Sequence, residues 1–478
     1  MSLADWVALA YLVAAWIAMI WMSFHLGLYS DDYWNLFEVN HRSGTGYLAH
    51  HLSRINSRYT YALLNKLMYE LFFDPDHLFA PLYIRAARIL VLSCHFIGVW
   101  FTYRSLVRLG VPKAALLAVL PFISFALFGD QGLFWLAAAY AYPVGFALFS
   151  GGIYALLRQK PVRFAVLAFF ALGATEFVIL PLLAAVAVYG YSRYRSRGAA
   201  DKKALLRETL ILIAPFVAWA LIVLLTPAAA SREAKVHGNP KLFAAPLSWA
   251  VSYITIYLRQ MQPAEWMRTH WYIVSSATIV AAALLRNARE RRIAFFLIAL
   301  YPASLFPISA VGYLIFPVSH ARLWYFPGLF FFIAVASSLG FFVRQLSSFR
   351  GAQVRNRALA ATAVFMAVMF VFFAAETHRI TQNGEDAFNC VRGFLDEVQI
   401  EADGRTPKRV EICGMPRVFH NFSVFLSPNC GRFALAILFD SARTIPFVSR
   451  NTCPKKRWGR LWNQDIFPGE MRYRITYR

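Results

Sequence analysis

The sequence predicts an all-α polytopic membrane protein with a small α/β domain at its C-terminal end. Three observations carry this expectation: a low charge content, apolar runs of membrane-spanning length, and the end of those runs near residue 375. Of 478 residues, 59% are hydrophobic and 15% charged, whereas a soluble chain carries about 25% charge. The apolar residues come in blocks such as 323–343 and 358–375, close to the roughly 20 residues with which a helix crosses a hydrocarbon core. Lipid offers no partner for backbone N–H and C=O groups, so these blocks are expected to be helical. The alternating segments of about ten residues that mark a membrane β-barrel are absent.

The formal charge is +23, from 48 Lys and Arg against 25 Asp and Glu. Most of the excess lies in short connections between apolar blocks, as the positive-inside rule demands. No basic stripe with interleaved aromatics lies outside the blocks, so a nucleic-acid partner is not expected. The first block, 7–28, lacks a basic leader and exceeds the roughly 7–15 apolar residues of a cleavable signal. It reads as a retained span with a cytoplasmic N-terminus.

Further spans are expected near 87–109, 114–128, 132–156, 208–228, 267–285, 293–315, 323–343 and 358–375. Basic connections alternate with poor ones: Arg104, Arg108 and Lys113; Arg158, Lys160 and Arg163; Arg193 to Arg207; Arg286 to Arg292; Arg344 to Arg357. Arg163 and Arg193 both require the cytoplasm, yet one apolar block lies between them. A hairpin of two short helices turning at 173–177 resolves the conflict, with Glu176 in an interior cavity or near the outer face; a single tilted helix is the alternative. With the hairpin the count is about eleven membrane segments. The outer regions are then 29–86, 229–266 and the tail, with 242–258 suited to an interfacial helix.

Residues 1–375 thus form the membrane domain, with 29–86 as first outer loop, and 376–478 an extracytoplasmic α/β domain. In the tail, 385–400 has amphipathic helical periodicity, while 409–413 and 433–439 are strand-like. Cys390, Cys413, Cys430 and Cys453 fall there, and an even number of cysteines in an exported domain points to one or two disulfides. The spacing of a metal site is missing.

The first outer loop opens Ser30-Asp31-Asp32-Tyr33. Two carboxylates immediately after a span sit where a lipid head group and a polar acceptor meet, and one can serve there as general base. The plain alternative is a pair of solvated acids at a helix end. The same loop carries Arg58 and Lys66, cations able to neutralise a phosphate, Arg through a bidentate fork. Its histidines lack the i, i+4 spacing of metal ligands. A second constellation, His320-Ala321-Arg322-Leu323-Trp324-Tyr325-Phe326-Pro327, stands at the outer entrance of a late span. Arg322 can hold a lipid phosphate there, or snorkel at the interface. Glu176 is an ionisable group inside an apolar block, which usually marks function.

The acidic motif and the Arg-Tyr-containing, Pro-ended entrance together resemble the GT-C superfamily of membrane glycosyltransferases. The segment from Leu133 to Pro143 is similar to one in bacterial relatives of the O-antigen glucosyltransferase type. In this chain Leu323-Trp324 separates the Arg from the Tyr. The resemblance covers 1–375 in layout and implies a multi-pass protein of the inner (plasma) membrane. It implies a polyprenyl-phosphate sugar donor and a glycan, lipid or protein acceptor outside the cytoplasm. Carried onto this sequence, it implies Asp31 or Asp32 as base and Arg322, with His320, Arg58 or Lys66, on the donor phosphate. Tyr33, Glu176 and Tyr325 would contact substrate; no cofactor and no metal are implied. Rival readings are a transporter or flippase of lipid-linked saccharides, which usually shows internal repeats, and a polysaccharide polymerase using the same donors.

Overall fold

The structure is a computed structural model. It describes residues 2–28, 31–52, 58–73, 81–126, 133–134, 136–197, 202–225, 265–310, 325–347, 352–413, 418–419, 422–423, 428–439, 441, 443–450, 459–461 and 471–477. His320, Arg322, Cys453 and segment 242–258 lie outside the described residues, as do the side chains of Asp31, Cys413 and Cys430.

In chain order the helices are α1 (Leu3–Ser23), α2 (Asp31–Asn40), α3 (Gly44–His50), α4 (Tyr59–Phe72), α5 (Pro81–Leu109), α6 (Lys113–Phe125), α7 (Leu136–Ala139) and α8 (Tyr142–Leu157). They continue with α9 (Pro161–Ala174), a 3-10 turn (Glu176–Val178), α10 (Ile179–Arg197), α11 (Lys202–Leu225), α12 (Glu265–Ala283), α13 (Ala288–Ala310), α14 (Tyr325–Ser347), α15 (Ala352–Ala402) and α16 (Pro428–Leu438). Among the described residues the apolar blocks are helical, with the 132–156 and 164–190 blocks each divided between two helices. Among the described residues, six helices are long and apolar enough to cross a membrane, and four more are apolar but of 10–17 residues. α11 leaves Leu206, Leu210, Val217, Leu221 and Leu224 exposed, a stripe that lipid, not water, would solvate.

The bundle has two chemically different ends. At one, Lys113 Nζ donates to Asp5 Oδ2 (2.9 Å) and Arg108 Nε to the Leu157 carbonyl (3.0 Å). Arg344 adds bonds to the Gly110 carbonyl (2.8 Å) and the Glu290 carboxylate (2.6 Å). These contacts gather the start of α1 and the basic connections at one end. The apolar block at 164–190 breaks at Thr175, whose extended backbone (φ −157°, ψ 142°) stops α9. α9 packs on α8 and α11, whereas α10 packs on α13.

Helix α15 is 51 residues long. Its apolar half turns Met366 and Phe373 inward and Val364, Val368 and Val371 outward. Its amphipathic half continues the same helix and buries Ala387, Val391, Phe394, Leu395 and Val398, at the i, i+3, i+4 spacing of one face. Beyond it lie strands β1 (Arg409–Cys413), β2 (Val418–Phe419), β3 (Phe422–Ser423), β4 (Phe447–Arg450), β5 (Gly459–Leu461) and β6 (Met471–Thr476). Four of them form a mixed sheet of order β4-β1-β6-β5. β1 runs parallel to β4 with Val410 beside Phe447, and antiparallel to β6 with Val410 beside Ile475.

Two expectations for the tail change. Residues 433–439 are not a strand: Pro428–Leu438 is helical, with Pro at the first position, where its missing N–H is harmless. A short apolar run fits strand and buried helix equally in period. Cys390 is a free, buried thiol inside α15, so the four tail cysteines do not form two disulfides. The tail is also seated on the membrane part: α16 packs on α2, and one apolar core runs from Ala8 in α1 to Phe447 in β4.

Candidate active site

α2 starts at the acidic motif, so Asp31 and Asp32 occupy its first turn, where the helix dipole favours negative charge. Asp32 is 3% exposed. Its charge acts on three buried tyrosines from separate helices, Tyr61 of α4, Tyr83 of α5 and Tyr140 at the end of α7. Tyr61 and Tyr140 lie edge to face at 6.4 Å, and His51 stacks on Tyr61 at 5.3 Å. Asn65 donates to the Tyr47 hydroxyl (2.9 Å). Burial, first of all, holds the phenol of Tyr61 above its ordinary range, and that of Tyr47 is pushed up to about 12. These phenols are hydrogen-bonding groups at neutral pH, not bases.

Arg58, just ahead of α4, meets Glu176 across the break between α9 and α10. Its Nε donates to Oε2 at 2.8 Å and its Nη2 to Oε1 at 2.6 Å, the parallel fork of a bidentate pair. Burial opposes the guanidinium charge, but Glu176 and then Tyr142 more than offset it, so Arg58 stays firmly protonated. The contact is locked by neighbours on both sides. Tyr59 Oη donates to the Phe169 carbonyl (2.5 Å) and Thr60 Oγ1 to the Phe170 carbonyl (2.8 Å). A Cβ on Gly173 would lie 2.1 Å from the Tyr59 ring, so only glycine allows this approach.

The start of α14 reaches the same cluster. Tyr325 lies 6.2 Å from the Tyr142 ring, which also meets Phe177 at 5.6 Å. His95 Nε2 faces the Ser124 carbonyl (2.8 Å), which can only accept, so Nε2 carries the proton and Nδ1 accepts from the Tyr325 hydroxyl (2.6 Å). Tyr325 is therefore a buried anchor three residues after Arg322.

Lys66 and Tyr33 have other described partners and surroundings. Lys66 Nζ donates to the carbonyls of Val39 (3.1 Å) and Arg42 (3.2 Å) and pairs with Glu70 (2.7 Å); it closes the C-terminal end of α2. Tyr33 is fully buried in the apolar core. The structure also brings forward residues that the sequence did not single out: the tyrosines 61, 83 and 140, and Arg88. Arg88 lay at the edge of an apolar block, where a snorkelling role is the ordinary expectation.

The fold and this cluster define a class: a helical protein with six candidate membrane spans, a buried carboxylate, a part-buried guanidinium–carboxylate pair and several buried tyrosines. No family model and no curated protein matches the chain. Among solved structures, the chain is similar to ArnT from Cupriavidus metallidurans, determined bound to undecaprenyl phosphate. The TM-score is 0.44, with 15% identity over 94% of this chain and 86% of that one.

Proposed function

We propose that the protein is an integral membrane glycosyltransferase that moves a sugar from a polyprenyl-phosphate donor to a glycan, lipid or protein acceptor outside the cytoplasm. The supporting observation is the Arg58–Glu176 pair, set with Tyr61 toward Asp32 and with Tyr142 toward Tyr325, added to the motif resemblance. In this reading Asp32, or its neighbour Asp31, takes the proton of an acceptor hydroxyl. That oxygen attacks the anomeric carbon in line and inverts it as the bond to the phosphate oxygen breaks. Polyprenyl phosphate leaves with its charge met by Arg322, Arg58 and His320, a preorganised stabilisation of developing charge. Lys66 drops out of this set because the end of α2 holds it. Tyr325 positions the Arg322 segment, and Tyr33 supports α2 from the core.

The topology follows from the same contacts. Asp5 sits among the basic connections, which favours a cytoplasmic N-terminus. The α2–α16 contact favours the first outer loop and the C-terminal region on one, extracytoplasmic, side. α10 packing along α13 favours the hairpin over one long helix, and completes the multi-pass arrangement of an inner (plasma) membrane protein.

The test is to delete the chain in its host and profile polyprenyl-phosphate sugars and envelope glycans by mass spectrometry. One donor should accumulate while one glycan loses a single sugar, and wild type but not Asp32→Asn should restore it. Unchanged profiles would overturn the reading. A change confined to glycan chain length would mark a polymerase.

A further inference from the structure

We infer that Arg88 is a positioning residue, whose guanidinium ties the Asp32 segment and the Tyr140 segment to helix α5 at a fixed spacing. The inference rests on the glycosyltransferase reading above only for its kinetic consequence. Arg88 is 1% exposed and among the largest fully buried side chains. A guanidinium at such a place is costly to bury, and groups of this kind are usually engaged by specific partners. Its Nη1 donates to the Phe134 carbonyl at 2.8 Å and its Nη2 to the Gly27 carbonyl at 3.0 Å. Gly27 lies four residues before Asp31, and Phe134 six residues before Tyr140. One planar fork therefore holds two chain segments that meet nowhere near each other in sequence.

One further observation supports a positioning role rather than general packing. The Gly27 backbone closely approaches α15: a Cβ there would fall 1.9 Å from the Phe388 ring. The Gly27 peptide is thus held by Arg88 at its carbonyl and packed closely against Phe388. Lys could supply the charge at position 88, but it presents a single ammonium in place of a rigid fork.

The experiment compares wild type, Arg88→Lys and Arg88→Met in full-length protein in lipid nanodiscs, by amide hydrogen exchange and by transfer kinetics with the donor found in the host profile. Both variants should raise exchange in 26–36 and 133–141 together, while the middle of α5 stays protected. kcat should fall about a hundredfold, the scale of a small misplacement of reacting groups, with donor KM within about threefold. Unchanged exchange in either segment overturns the inference, as does a raised KM with unchanged kcat. Full activity in Arg88→Lys would mean that charge alone suffices and would also overturn it. If Arg88→Met does not reach the membrane, Arg88→Lys alone decides. Raised exchange in both segments, with no transfer detectable even in wild type, would leave the positioning role standing and remove the glycosyltransferase reading.

Discussion

Phe37 of α2 and Phe433 of α16 pack ring against ring, 5.1 Å between centroids, joining the helix that begins at the acidic motif to the C-terminal region. Phe433→Ala should therefore act at a distance of several turns from its own position. We expect a loss of about 2 kcal/mol in stability, below the roughly 3–5 kcal/mol for truncating a fully buried Phe, since Phe433 is only half-buried. Thermal unfolding in detergent checks the stability, and a transfer assay should show lower kcat with donor KM retained. Unchanged turnover would mean that α2 holds its place without α16.

Asp32→Asn keeps the shape of the side chain and removes the proton acceptor. Transfer should fall by about 10²–10⁴, the usual contribution of a general base, while binding of undecaprenyl phosphate persists. Asp31→Asn, measured in parallel, should be the milder change if Asp32 is the base. Full activity in both variants would eliminate the assignment.

The Arg58–Glu176 pair presents to Arg58 the same two-oxygen geometry that a phosphate would. If Arg58 serves the donor, Glu176 competes for it. Glu176→Gln should then tighten undecaprenyl phosphate binding, and Arg58→Ala should weaken it about 10- to 100-fold, as for loss of a charged hydrogen bond. Binding titrations on the two variants check the opposite signs; equal effects would argue for a purely structural pair.

Lys66→Met separates a helix-closing role from a phosphate role. The structure predicts a loss of about 1 kcal/mol in stability through the freed carbonyls of Val39 and Arg42, with donor affinity unchanged. A drop in affinity without loss of stability would return Lys66 to the phosphate site.

Tyr47 gives a pH signature. Its phenol is pushed from 10.0 up to about 12 by burial, so the folded state favours the neutral form. That contribution is complete below about pH 10 and is lost as pH rises through about 12, because the unfolded chain releases the proton first. Chemical unfolding at stepped pH should show the decline, and Tyr47→Phe should flatten it.

Much of the helical layout was legible because span length and loop basicity are properties of single segments. The break at Thr175 was readable from one basic cluster too many, since charge placement limits how often a chain can cross. Long-range partnership was not legible. Nothing local in Arg58 or Glu176 indicates that they face each other, and Arg88 looked like any cation near the end of an apolar block. Phe433–Phe439 misled because seven apolar residues carry no period that separates strand from helix; burial against α2 decides it. Cys390 looked like half of a disulfide, yet its place on the inner face of α15 makes it a core residue.

The unbroken course of α15 has a mechanical consequence. Its apolar and amphipathic halves share one helical screw, so the rotational phase of the sheet above is set by residues inside the bundle. Adding a single residue near 376 would turn everything beyond it by about 100° and lift it by about 1.5 Å, swinging α16 away from α2. The C-terminal region therefore cannot be exchanged as a free cassette: a chimera must conserve the number of residues along this shaft, or lose the seat of the acidic helix.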